Sequence, residues 1–153
     1  MKPDDAALLH ERQHWMSALA TASVDALESA CAATLVPTFR WLRKPESGLM
    51  MVRARAGGTG LRFNLGEVTV TRCSLRLDSG IVGHAYVQGR SHRHAELAAM
   101  IDALLQDPEH SAELIQMIID PLTREHSARR DERLRKAAAT KVEFYTLSRG
   151  DNE

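Results

Sequence analysis

The sequence predicts an α+β domain, an antiparallel β-sheet from the middle of the chain with helices at both ends packed on it. Three observations predict it. Apolar residues recur at helical spacing in the first third and again after Gly89. Residues 35–90 instead read as short alternating runs punctuated by Pro and Gly. The strands are grouped rather than interleaved with helices, which favours antiparallel pairing over crossover units. A chain of 153 residues suits one domain, 1–153, with a core of its own.

The first helix carries Ala7, Leu8, Trp15, Leu19 and Ala20 at roughly helical spacing, with Asp4 or Asp5 as its cap. A second, Asp25 to Ala33, is opened by Ser23 or Asp25, and Pro37 marks the change to extended chain. LVPTFRWLR and GLMMVRARA are two strand candidates separated by the loop KPESG, and GGTG at 57–60 is a turn. EVTVTRCSLRLDSGIVGHAYVQG reads as a long hairpin closed at Asp78-Ser79-Gly80. Cys73, Leu75 and Leu77 share one of its faces, and Arg72, Ser74 and Arg76 the other. Val68 and Val70 are out of phase with that set, which implies a bulge near Arg72 or a strand covered on both faces.

After Gly89, Ser91 caps a helix whose stripe is Ala95, Ala98, Ile101, Leu104 and Leu105. Pro108 ends it, Glu109 to Ile119 forms another short helix, and Pro121 sits in the first turn of a last one running to about Ala138. KVEFYTL, residues 141–147, is a terminal strand or extended arm.

Basic and acidic residues balance at 20 each, so neither a nucleic-acid nor a membrane partner is expected. Cys31 and Cys73 are the only cysteines and carry no disulfide or metal pattern, which suits free thiols in a reducing compartment. No apolar leader and no bilayer-length run is present, so a cytoplasmic protein is expected.

The chemistry concentrates in VQGRSHRHAELA, residues 87–98. A helix opening after Gly89 presents unpaired N–H groups and the positive end of its dipole. Arg90 and Arg93 add fixed charge there, so these two with Gln88 and Gly89 are candidates for binding an anion such as phosphate or phosphonate. A solvated basic first turn is the plainer reading. His92 and Glu96 share a helix face and His84 lies on the preceding strand, but His92 and His94 diverge and no zinc spacing occurs, so no metal is expected. His84, Tyr86 and Gln88 alternate on one strand face, either a site or simply the wet face of the sheet. The last helix holds six basic and three acidic residues between 124 and 136 and reads as solvated or partner-facing. There is no nucleophile elbow, Cys-His pair or close carboxylate pair.

Four segments in order, RQHWM, LRKPESGLMMVRARAGGTGLRFNLGEVTVTR, YVQGR with HAELAAMIDALLQ, and FYTLSRGDNE, resemble the PhnG family, small subunits of the bacterial carbon–phosphorus lyase core complex. The resemblance spans Arg12 to Glu153. It implies phosphonate utilisation and the alpha-D-ribose 1-methylphosphonate 5-triphosphate synthase step, in which an alkylphosphonate displaces adenine from ATP. It further implies a two-fold symmetric hetero-octamer with other core subunits, a large partner carrying the nucleosidase chemistry, and a separate radical subunit holding the iron–sulfur centre. MgATP is then a co-substrate of the complex, and no cofactor is bound by this chain. Arg72, Gln88, Gly89, Arg90, His94, Ala95 and Glu96 match the family pattern, without established roles.

Two roles follow. As a contributor to the active site, the chain would use His94 or Glu96 for proton transfer and Arg90 for an anionic oxygen. As a non-catalytic scaffold stabilising the large partner, it would use Trp15, Phe39, Trp41, Phe63, Phe144 and Tyr145 as interface anchors.

Overall fold

The structure is a computed structural model that describes residues 3–32, 34 and 37–140. In chain order it contains α1 (Pro3–Thr21), α2 (Val24–Ala32), β1 (Phe39–Arg55), β2 (Arg62–Leu77), β3 (Val82–Gln88), α3 (His92–Leu105), α4 (Ser111–Leu114) and α5 (Asp120–Ala139). The strands form one antiparallel sheet in the order β1-β2-β3. Helices lie at both ends of the chain, as the sequence predicts.

The hairpin of β2 and β3 turns at Asp78–Gly80, where Gly80 takes φ +93°. Thr71, Cys73, Leu75 and Leu77 of β2 are buried, while Arg72 is exposed and Ser74 and Arg76 are half-buried. Gly83, Ala85 and Val87 extend the buried face across β3, and His84, Tyr86 and Gln88 point the other way. Against the buried face lies α3, through Ala95, Leu97, Ala98, Ala99, Met100, Ile101, Ala103 and Leu105. Its many alanines have a reason: a Cβ on Gly83 would sit 1.9 Å from the Ala99 carbonyl oxygen and 2.8 Å from the Ala103 Cβ. Helix and strand backbones meet there with no room for a side chain. Leu19 of α1, Leu27 of α2, and Ile118 and Ile119 close the core around it.

Several expectations are corrected. KPESG is not a loop between two strands, because β1 runs unbroken from Phe39 to Arg55. It absorbs one extra residue between Trp41 and Arg43 and another between Arg43 and Glu46, opposite Leu75 to Arg72 of β2. Pro45 falls in the second bulge, on an edge strand, where a residue without an N–H costs no ladder bond. The expected bulge near Arg72 thus lies on the partner strand, and Val70 is in addition buried on the opposite face from Thr71. Asp4 and Asp5 lie inside α1 rather than before it.

Glu109 to Ile119 is not a separate helix. A short α-turn passes through one wider π-turn, Ile115–Ile119, straight into α5. The wide turn directly precedes Pro121, which has no N–H to give back to it. The remaining caps are as expected: Ser23 Oγ accepts from Ala26 N–H, and Ser91 Oγ from His94 N–H. The predicted strand at 141–147 lies outside the described residues. No described helix is long and apolar enough to cross a membrane.

Beyond Gly48 and Val70, β1 and β2 leave the sheet as a two-stranded arm, because β3 pairs only with Val70 to Arg76. Leu49, Met50, Met51, Phe63 and Leu65 are exposed on it, and Leu61 at the tip is 91% exposed.

Candidate functional site

The end of β3 and the start of α3 form the junction to which the sequence points, and its groups divide into three sets. The first is internal. Thr71 is fully buried and donates to the Gly89 carbonyl at 2.7 Å, while the Gly89 N–H donates to Thr69 O. With the Thr71 proton so used, Ser47 Oγ donates to Thr71 Oγ1 at 2.9 Å, and His92 Nε2, 3.3 Å from Ser47, must supply the next proton. Gly89, with φ +99°, therefore shapes the turn, while its own backbone groups are spent inside the protein.

The second set ties helices together. His94 is buried and its Nε2 donates to Leu19 O of α1 at 2.8 Å. Only Nδ1 is left for proton chemistry. Arg93 Nε bonds Glu28 of α2 at 3.1 Å, and its Nη1 lies 3.3 Å from Glu96. The hydrogen bond that Arg93 donates to Glu28, with the nearby Glu96, raises the Arg93 pKa, so the guanidinium is firmly charged but matched by two carboxylates. Arg90 is exposed. His92 and His94 thus diverge to Ser47 and Leu19, and among the described residues no three His, Cys, Asp or Glu side chains are placed to hold a metal ion.

The third set lines a cleft of about 470 Å³ between the end of α1, this junction and α5. Gln88, Gly89 and His94 form one wall. The other is His126, Arg129, Arg130 and Arg133. Those four stand at i, i+3, i+4 and i+7, so a single face of α5 carries them. None of the described lining residues is acidic. Arg129 pairs with Glu125 at 3.1 Å through one terminal nitrogen, while its buried Nε has no hydrogen-bond partner among the described residues. Of the residues singled out from sequence, then, the fold brings Gln88, Gly89 and His94 to this cleft and leaves Arg90 and Arg93 outside it. The α5 residues carried a signal, their helical spacing, but nothing in the sequence says which surface they face.

The proposed anchors also separate. Trp15 is 6% exposed and its indole N–H donates to Asp102 at 2.9 Å, so it belongs to the core of this chain. Phe39 and Trp41 are half-buried and meet edge to face, ring centroids 5.0 Å apart. Phe63 stands on the arm, 45% exposed, and Phe144 and Tyr145 lie outside the described residues.

Sequence reasoning missed Asp102. It is fully buried, receives Arg12 Nε at 3.2 Å and Arg12 Nη2 at 2.8 Å, and also accepts from the Trp15 indole and the His84 backbone N–H. These donors saturate the carboxylate, which makes it a structural clamp between α1, α3 and β3. Its mark in the sequence is a lone acid in the apolar run AAMIDALL.

Comparison with known proteins places these features in a family. The sequence profile of the phosphonate metabolism protein PhnG matches residues 10–150. The alpha-D-ribose 1-methylphosphonate 5-triphosphate synthase subunit PhnG of Rhizobium meliloti (strain 1021) is 41% identical, over 99% of this chain and 97% of its own length. The chain described here belongs to the PhnG family of phosphonate metabolism proteins.

Proposed function

We propose that this chain is an obligate subunit of an alpha-D-ribose 1-methylphosphonate 5-triphosphate synthase complex. The single observation that carries the reading is the near full-length 41% identity to a subunit of that name. The reaction would be a transfer in which an oxygen of the alkylphosphonate bonds to the ribose C1′ of ATP while the bond to adenine breaks. Adenine leaves with a proton, the 5-triphosphate stays in place, and MgATP enters as co-substrate of the complex. The chain works with other core subunits, two copies in a two-fold symmetric hetero-octamer, and is inactive alone.

The hairpin arm supports an obligate partnership. A two-stranded ribbon has little stability by itself in water. This one also exposes Leu49, Met51, Phe63 and Leu65, which water does not favour and a partner surface would cover. Cys31 and Cys73 are buried free thiols, which suits a cytoplasmic setting.

The test is adenine release from MgATP and methylphosphonate by the other core subunits, with and without this chain. Release that needs the chain, from an assembly whose mass holds two copies, is the expected result. Equal release without it would overturn the reading.

A further inference from the structure

We propose that the α5 cleft is a binding site for a multivalent phosphate anion. The site is made by this chain alone, from the guanidinium groups of Arg129, Arg130 and Arg133 with His126 opposite Gln88 and His94. Four cationic or ionisable side chains repeated on one helix face repel one another unless a counter-anion lies among them. No acidic side chain of the described residues lines the cleft to fill that role, in contrast to Arg93, which Glu28 and Glu96 match completely. Glu125 engages a terminal nitrogen of Arg129 from along the helix and leaves its Nε without a hydrogen-bond partner among the described residues.

Arg130 and Arg133 form no ion pair among the described residues. A planar guanidinium presents its donors as a fork that suits two oxygens of one phosphate group, and three forks in a row suit a chain of such groups. Opposite them, Gln88 offers an amide N–H and an imidazole completes the wall. At about 470 Å³ the cleft has room for a triphosphate. The proposal rests on the synthase reading only for which phosphate ester fills the cleft in the cell.

The experiment is a calorimetric titration of the full-length chain with inorganic triphosphate at physiological salt. One saturable site is expected. Arg130→Ala and Arg133→Ala should each weaken it at least tenfold. Both residues are exposed, so the variants should fold, with unchanged circular dichroism. Arg135→Ala, on the same helix but outside the cleft, should change affinity less than twofold and controls for plain attraction to a basic helix. Absence of saturable binding would overturn the proposal, and so would an Arg135→Ala loss as large as that of Arg130→Ala. The titration needs no partner subunit, so its failure and a failure of the adenine-release test are separate results.

Discussion

The face of the sheet under α3 and the arm beyond Val70 share strand β2 and obey opposite rules. Under α3 every group has a partner. Leu75 and Ile101 are sealed from water, Cys73 donates to the Ala95 carbonyl, and Asp102 of α3 gathers donors from α1 and β3. On the arm the ladder is complete but the side chains are not covered, and Leu49, Leu61 and Leu65 are each more than 60% exposed. The difference teaches that this chain builds one self-sufficient core and then extends apolar surface that its own fold does not use. Stability should depend on the first region and association on the second.

Substitutions that respect this division should sort cleanly by readout. The largest loss is expected for Asp102→Ala, which leaves Arg12, the Trp15 indole and the His84 N–H without their shared acceptor. Breaking a buried pair of this kind costs about 3–5 kcal/mol. Gly83→Ala should follow, at about 3 kcal/mol, since a methyl 1.9 Å from the Ala99 oxygen forces α3 off the sheet. Denaturant unfolding measures both, and a change under about 0.5 kcal/mol in either would show that the core is looser than described. On the arm, Leu49→Ser with Leu65→Ser should shift chain stability by no more than about 0.5 kcal/mol each, as exposed positions do. The same double variant should fail to co-purify with the partner subunits. Joint loss of stability and association would erase the distinction between the regions.

The core was the more legible region because its signals are local. The alternation of Cys73, Leu75 and Leu77, the Ser91 cap and the Asp78–Gly80 turn each depend on a few adjacent residues. Pro45 misled for a physical reason: proline and glycine mark loops, yet an edge strand can carry both by bulging. Asp102 was hidden because its partners Arg12 and Trp15 lie 90 and 87 positions away in sequence, and only packing brings them together. The cleft was half legible. Gln88, Gly89 and His94 were singled out from a helix start, while the α5 arginines read as a solvated or partner-facing helix because the surface they meet within the chain is set by the turn around Pro121. For Arg93 the spacing was right and the counter-charges were the missing information.

The smallest effect sharpens the comparison at the margin of the core, in the link from α3 to α4. Asp107 and His110 pair there at 3.0 Å, both at the surface. The hydrogen bond that the His110 ring donates to Asp107 raises the His110 pKa above its ordinary 6.5, and that same bond, with the one from the Glu109 N–H, holds Asp107 below its ordinary 3.8. A raised histidine contributes stability that is present in full below 6.5 and lost as pH climbs through its folded value. A lowered aspartate contributes above 3.8 and loses that as pH falls through its folded value. The pair therefore helps only between roughly pH 4 and the raised histidine value, and exposure and salt keep that help slight. Asp107→Asn should bring the His110 ring titration, followed by NMR, back toward 6.5 while the melting temperature barely moves. A midpoint that stays where it was would mean that this link does not hold the pair in solution.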